Sequence, residues 1–585
     1  MKMYLLDRHE KAASRKVRRI PTLPVLALLF LVSSSLVRSS VVAVGFAQAA
    51  KKDTNYDLSL SGPSGYIGNQ ACARCHASIA ESFARTPMAH ASGPATENLI
   101  PADFVHTNSG VHYRIYSEGG AVWLTFERPR DPTVNGKRQL LYSIGSGRRG
   151  RSYLFAVDNF VFESPVNWYA DRHQWDMAPA YGQAREIPLN LPAYPNCLRC
   201  HTSGMNQPLG NTENQYPTPL FSQDGVGCER CHGPGAAHAK GAAILNPAKL
   251  PPDRRDAVCM QCHLEGNVAI ERAGRHAYDF RPGDILDDYV RHYVVAGTQA
   301  SGLGANGQFE ALAQSKCKIK SGDSMSCTSC HDPHSSPPEQ ARASYYRGKC
   351  LACHGVAFGL KHHPQQADCT ACHMPSSLST DIAHTEVTDH RIRVRPQLSP
   401  QLLEDPNAPK SPLHLVPFPY TREAADDLRD QALAWQSLAD GGLPEAASEA
   451  ERLLKVAAKQ FPGDPAILAG LAYVELNHGH FDRARDLYQK ALALDPKLID
   501  AATNLGAIEA RSGHFNSAVE LWATAFDRAP GKSAIGMNLA RMLCEAGKTD
   551  EARSYVLRVL HFNPDLSEAR KLLRQLNANP PSCGK

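Results

Sequence analysis

Apolar and polar residues follow three different rhythms along this chain. From about residue 423 onward they keep helical spacing inside a longer repeat. Leu471, Leu505 and Leu539 recur at a period of 34 residues, as do Ala484, Ala518 and Ala552, Gly479, Gly513 and Gly547, and Pro462, Pro496, Pro530 and Pro564. A small residue where two helices cross, with proline closing the second helix, predicts stacked helical hairpins. Three copies are clear, and residues 423–462 read as a degenerate first one, so an all-α solenoid is predicted over 423–580. Between about 101 and 190 the rhythm shortens to two. Val111-His-Tyr-Arg-Ile-Tyr116, the Gly119-Gly120 pair and Ala121-Val-Trp-Leu-Thr-Phe126 predict a β-hairpin. Leu140–Ile144 and Ser152–Val157 predict further strands on either side of Gly145-Ser-Gly147-Arg-Arg-Gly150. The remainder of 51–395 keeps neither period.

That third region is marked by chemistry instead. Cys-x-x-Cys-His occurs seven times: Cys72-Cys75-His76, Cys197-Cys200-His201, Cys228-Cys231-His232, Cys259-Cys262-His263, Cys327-Cys330-His331, Cys350-Cys353-His354 and Cys369-Cys372-His373. Histidine fills 25 of 585 positions, yet it follows every Cys-x-x-Cys in the chain. A zinc ribbon or a redox dithiol has no need of histidine there. Covalent haem does: two thiols three positions apart reach two vinyl groups, and the next imidazole then lies under the iron. The cofactor expected is seven haems c, with the fourteen cysteines as attachment points and the seven histidines as proximal iron ligands. The ligand histidines 201, 232 and 263 are 31 residues apart, and 331, 354 and 373 follow at intervals of 23 and 19. Spans this short cannot bury an ordinary side-chain core. The haems themselves are expected to fill the interior, which brings neighbouring macrocycles together.

Ligands for the opposite iron faces are sought among twelve other histidines between 53 and 400. The candidates are His90, His238, His334, His363, His384 and His390. Met88 competes with His90, and packing is the ordinary role of such a methionine. His238 stands six residues past His232 and serves either that haem or a neighbour's. His106 and His112 lie in the β-rich stretch. The Gly-Arg loop at 145–150 has two readings, an anion or haem-propionate contact through backbone N–H and guanidinium groups, or a tight turn with solvated arginines.

Charge adds little: 63 Lys and Arg stand against 58 Asp and Glu. No basic field points to nucleic acid. Lys2, Arg8, Lys11, Arg15, Lys16, Arg18 and Arg19, an apolar run Val25–Val32 and Ala47-Gln-Ala49 make residues 1–50 an export signal. Ser33-Ser-Ser35 and Arg38 interrupt the apolar part, which weakens the rival reading, an uncleaved anchor. Membrane contact is expected only through this segment. Residues 396–422, with prolines at 396, 400, 406, 409, 412, 417 and 419, are expected as a semi-extended linker. It would separate a seven-haem domain at 51–395 from the solenoid and leave the two independent. Cys317, Cys544 and Cys583 stand outside the motifs, too few for a disulfide scaffold.

With these residues in view, 66–395 resembles multihaem c-type cytochromes of the cytochrome c-554 type and the doubled-CxxCH families. The carrying stretches are Tyr66-Ile-Gly-Asn-Gln-Ala-Cys72-Ala-Arg-Cys75-His76, Gly225-Val-Gly-Cys228-Glu-Arg-Cys231-His232-Gly-Pro-Gly, Met325-Ser-Cys327-Thr-Ser-Cys330-His331-Asp-Pro-His334 and Cys369-Thr-Ala-Cys372-His373-Met-Pro. Residues 464–577 resemble tetratricopeptide repeats. The resemblance implies bis-histidine, low-potential haems and periplasmic electron transfer. Seven motifs exceed a four-haem pattern, so ligand pairing does not carry over. The expected fold is mixed: a haem-packed, mostly α or irregular cytochrome domain with a β-rich insert, then an all-α solenoid. The expected function is single-electron transport between redox proteins, with a protein or peptide docked on the repeats. The alternative is an oxidoreductase acting on a small nitrogen or sulfur compound at one five-coordinate haem. A Cys-x-x-Cys-Lys catalytic motif is missing from the chain, and no catalytic residue is assigned.

Overall fold

The structure is a computed structural model that describes residues 65–97, 99–179, 181–296, 304–357, 368–379, 382, 385–394, 413–419 and 427–583. The leader, His363, His384 and most of the expected linker lie outside these residues. Among the described residues no helix is long and apolar enough to cross a membrane.

The period-two stretch folds as expected and extends further. Nine strands form one antiparallel sheet: β1 (Ser92–Pro94), β2 (Ala102–His106), β3 (Val111–Glu118), β4 (Ala121–Arg128), β5 (Asp131–Ile144), β6 (Gly150–Val157), β7 (Phe160–Glu163), β8 (Val166–Tyr169) and β9 (Gln174–Met177). The main path runs β2-β3-β4-β5-β6-β8-β9, with β1 against β5 and β7 against β6. Glu118 faces Ala121 across Gly119 and Gly120, at φ 61° and 78°. A two-residue turn with both angles positive is the one glycine closes without strain. Val111, Tyr113 and Ile115 of β3 and Val122, Leu124 and Phe126 of β4 point inward, meeting Phe155, Phe162, Ile187 and Leu189. Trp175 of β9 donates its indole N–H to the Pro101 carbonyl at 2.8 Å, just ahead of β2. The sheet's two ends are thereby drawn together into a barrel-like shape with a filled interior.

The 34-residue period becomes helical hairpins. The helices are α1 (Asp427–Asp440), α2 (Ala447–Gln460), α3 (Pro465–Asn477), α4 (Phe481–Leu494), α5 (Ile499–Arg511), α6 (Phe515–Arg528), α7 (Ser533–Glu545), α8 (Thr549–Phe562) and a closing α9 (Ser567–Leu576). Gly479, Gly513 and Gly547 follow the first helix of three hairpins at φ 79°, 80° and 79°. This is the left-handed helix stop that favours glycine. Ala484, Ala518 and Ala552 are fully buried at the helix crossings.

The two regions are packed together. Phe562, at the end of α8, is buried in the barrel core with its ring edge-on to Phe160 and Phe162, at 5.9 and 6.0 Å. Asp565 is buried and takes Arg128 at 2.6 Å, while Lys532 pairs with Glu213 at 3.0 Å. At the other end of the solenoid, strand Val290–Ala296 pairs with Val268–Glu271 on one side and with a third strand, His414–Phe418, on the other. That third strand falls in the stretch expected as linker. Buried Asp430 on α1 holds Arg272, and holds Arg429 at 2.7 Å. Val268 and Tyr293 share one core with Trp435 and Leu438 of α1. The expected independence of the two regions therefore does not match this packing. The proline count indicated an extended chain and carried no information about what the segments beside it pack on.

Candidate haem-binding cavity

The motifs are built on helical turns, either short turns of their own or, for the fourth and sixth, the ends of the longer helices Pro252–His263 and Arg342–His354. The His76 amide donates to the Cys72 carbonyl at 2.9 Å, and His232 to Cys228, His331 to Cys327 and His373 to Cys369 do the same at 3.0, 2.9 and 3.0 Å. One such turn places the first cysteine, the second and the histidine on one face. These faces converge. Residues of all seven motifs line a single cavity of about 2840 Å³, several times the roughly 300–1,000 Å³ of a site for one small molecule. Its walls carry twelve Arg or Lys against five Asp or Glu, an excess of cations where carboxylate-bearing ligands would lie.

Thiols of different motifs meet across the wall. Cys72 hydrogen-bonds Cys228, Cys200 bonds Cys262, Cys259 bonds Cys327, and Cys350 bonds Cys369. Burial raises the Cys228 and Cys231 thiols, Cys228 to about 11.

The histidines face one another. His76 and His238 lie with ring centres 6.3 Å apart and planes 14° from parallel. His232 and His334 stand at 6.0 Å and 13°, and His331 and His390 at 6.2 Å and 31°. An imidazole nitrogen sits about 2 Å from a metal and about 1 Å from its own ring centre, so two rings on opposite faces of one iron are about 6 Å apart. In six of the cavity's histidine rings the other nitrogen is engaged elsewhere, while Nδ1 of His201 is buried without a hydrogen-bond partner. Nδ1 contacts the Leu245 carbonyl from His232 (2.9 Å), the Ala242 carbonyl from His238 (2.8 Å), the Thr388 carbonyl from His390 (2.9 Å) and the Arg393 carbonyl from His373 (2.5 Å). Gln308 and the Tyr346 hydroxyl contact Nδ1 of His263 and His331 at 3.0 and 3.2 Å. A carbonyl opposite Nδ1 requires the N–H there and leaves Nε2 with its lone pair. Burial holds His201, His331 and His390 in the neutral form a metal requires, His331 down to about 4. Among the described residues no three His, Cys, Asp or Glu gather around one point as they would for zinc.

The comparisons with known proteins agree with this chemistry. Residues 167–233 match the family model described as cytochrome c554 and c-prime. Residues 444–508 and 509–576 match the tetratricopeptide repeat. The multiheme cytochrome MtrA of Shewanella baltica (strain OS185) is 26% identical over 185 residues, 28% of this chain and 54% of the relative. The chain thus spans about half that relative's length. The chain resembles a multihaem cytochrome joined to tetratricopeptide repeats. Among solved structures, MamA (41-end) from Desulfovibrio magneticus RS-1 is 20% identical, covering 26% of this chain and 86% of its own, at a TM-score of 0.23. Pseudomonas aeruginosa PilF is 24% identical, covering 25% and 68%, also at 0.23.

Of the four candidate ligands among the described residues, the structure brings three to the cavity. His238, His334 and His390 each face a motif histidine, and His238 faces His76 rather than its sequence neighbour His232. His90 is exposed, and the cavity wall beside it is made by Met88 and Ala91. Cys197 is exposed, and Cys353 is exposed at the cavity's edge. Of the two readings of the 145–150 loop, the structure puts Arg148 and Arg149 on the cavity wall. His106 bonds Ser109 at 2.9 Å and His112 bonds Asp103 at 2.7 Å, both within the barrel region. Cys544 and Cys583 form a disulfide, which the leftover cysteine count did not assign. Glu163 on β7 also lines the cavity, and no sequence motif marked it.

Proposed function

We propose that this chain is an exported electron-transfer protein whose seven Cys-x-x-Cys-His motifs carry one continuous haem array. The observation that carries the reading is the set of three facing histidine pairs inside one cavity shared by all seven motifs. His76 with His238, His232 with His334 and His331 with His390 are the histidine pairs that would hold iron between them. Haem, when bound, supplies one-electron chemistry at a potential that histidine ligation keeps low. The chain's own residues would anchor it through cysteine and orient the imidazoles of His232, His238, His263, His331, His373 and His390 through their Nδ1 partners. The thiol contacts order the array: the first motif touches the third, the second touches the fourth, the fourth touches the fifth, and the sixth touches the seventh. Each distal histidine adds a crossing between segments distant in sequence, which supports tight spacing of the macrocycles. The solenoid, seated on the barrel and on the 268–296 sheet, would hold a partner protein at a fixed orientation to the array. A disulfide at the C-terminus fits maturation outside the cytosol.

The test is haem content and iron spin state of the purified protein. Seven haems per chain with low-spin six-coordinate ferric signals are expected. Fewer than seven overturns the array. A high-spin signal with turnover of nitrite or hydroxylamine replaces transport by catalysis at an open haem.

A further inference from the structure

Glu163 is a half-buried carboxyl on the cavity wall for which the array itself has no use. It ends β7, and its amide donates to the Leu191 carbonyl at 2.9 Å. That bond ties it to the segment running into the Pro195–Leu198 helix, which carries Cys197. Its side chain lines the cavity together with Cys200 and His201. Among the described residues, no salt bridge joins it to a cation. Its two side-chain partners instead suit two protonation states. The Ser152 hydroxyl donates to Oε1 at 2.7 Å, which favours the carboxylate. Asn167 lies beside the same oxygen at 3.4 Å, and its own Oδ1 is buried with no hydrogen-bond partner. With the amide turned over, that oxygen accepts a proton from the neutral acid.

We propose that Glu163 is a redox-linked proton site for the haem attached at Cys197 and Cys200. Glu163 takes one proton from solvent as the neighbouring iron takes one electron from a donor protein, passing from ferric to ferrous. It releases that proton when the electron moves on. One charge of each sign enters and leaves together, and the only bond made or broken is the carboxyl O–H. The inference rests on the reading of the second motif as a haem site.

The surroundings single this carboxyl out. Burial raises its pKa above that of an ordinary glutamate, with the Ser152 and Asn167 bonds opposing. Arg151 on β6 turns away, donating to the Gly145 and Ser146 carbonyls at 3.1 and 2.9 Å. Asp176 on β9 accepts the Met177 amide at 2.7 Å. Burial first, then nearby carboxylates, raises the Tyr169 hydroxyl on β8 and that of Tyr181, the latter to about 12, so neither exchanges protons near neutrality. The Cys197 thiol becomes a thioether on haem attachment.

The experiment is a spectroelectrochemical titration of full-length holoprotein from pH 5 to 9, paired with reduced-minus-oxidised infrared difference spectra. In the unaltered protein one haem's midpoint potential is expected to fall with pH, by up to about 59 mV for each tenfold drop in proton concentration. A carboxylic-acid C=O band is expected to appear on reduction. Glu163→Gln should flatten that slope and remove the band. Ser152→Ala deletes a donor to the carboxylate and should move the sloping window to higher pH with all haems retained. An unchanged slope in Glu163→Gln, or an unmoved window in Ser152→Ala, overturns the inference. Loss of the second-motif thioethers in a peptide mass map of the unaltered protein would overturn the haem reading beneath it, an outcome the two variants do not mimic.

Discussion

Two helices of equal length show how differently the two halves of this molecule are held. Arg342–His354 and Ser533–Glu545 both have thirteen residues. The second buries eight of them, Leu539 and Ala540 completely, against its neighbours in the solenoid. The first, which carries Cys350, Cys353 and His354, buries none. A helix with no buried face has nothing of its own to stabilise it, since isolated helices of that length are marginal in water. Its apolar partner has to come from the cavity it borders. The solenoid and the barrel thus have cores made of side chains, and so does the stretch around the fourth motif, where Met260, Phe280 and Leu286 are buried together, whereas the sixth motif's helix borders the cavity instead.

The comparison can be broken most severely by withholding haem. Chain produced without haem attachment should lose the order of residues 304–357, 368–379 and 385–394, while the barrel and solenoid stay folded. Limited proteolysis is expected to cut first in those segments and to leave fragments containing 92–177 and 427–583. Uniform resistance would mean that side chains alone sustain the cavity. Next in size is the joint between the halves. Asp430→Ala leaves Arg272 and Arg429 buried without their shared carboxylate, and deleting one member of a buried ion network costs about 3–5 kcal/mol. Chemical denaturation should report that loss, with haem absorbance and solenoid helicity failing together if the halves are one cooperative unit. The smallest effect is a pH dependence. His292, buried in the Val290–Ala296 strand, is held down to about 3 by burial and by Arg199. The unfolded chain therefore binds a proton, at about pH 6.5 and below, that the folded chain refuses. Stability should be full above pH 7 and fall as the pH drops toward 5. His292→Phe should flatten that limb by about 2 kcal/mol at pH 5, measured as the difference in unfolding midpoint between pH 7 and pH 5.

The same contrast explains what could be read in advance. A repeat buries its faces against adjacent copies, so Gly479, Gly513 and Gly547 announce their helix ends by spacing alone. Each Cys-x-x-Cys-His is likewise local, one helical turn making one attachment site. Axial pairing is not local. A flat macrocycle takes its second ligand from whichever segment crosses its far face, so sequence distance carries no information. His334 lies three residues from His331 but faces His232, and His331 is faced by His390. The hairpin at Gly119-Gly120 was legible for the same reason as the repeats, whereas the drawing together of the sheet through Trp175 was not. Phe562 fits the repeat's apolar pattern, and that pattern does not reveal that its ring enters the barrel. Glu163 looked like any strand-end glutamate until the cavity beside it was seen.

The Cys544–Cys583 bond sets a sorting problem for maturation. On the proposed reading, fourteen of the seventeen cysteines would reach vinyl groups as free thiols, whereas Cys544 and Cys583 are oxidised to each other. The pair destined for oxidation is the last to be synthesised, so the motif thiols are exposed to the same oxidants earlier and for longer. Adjacent partners such as Cys228 and Cys231 are then open to closing on themselves before haem arrives, and a reductant must keep them open. The fold asks for two opposite thiol fates within one polypeptide, and its chain order places the thiols that must stay reduced ahead of the ones that must not.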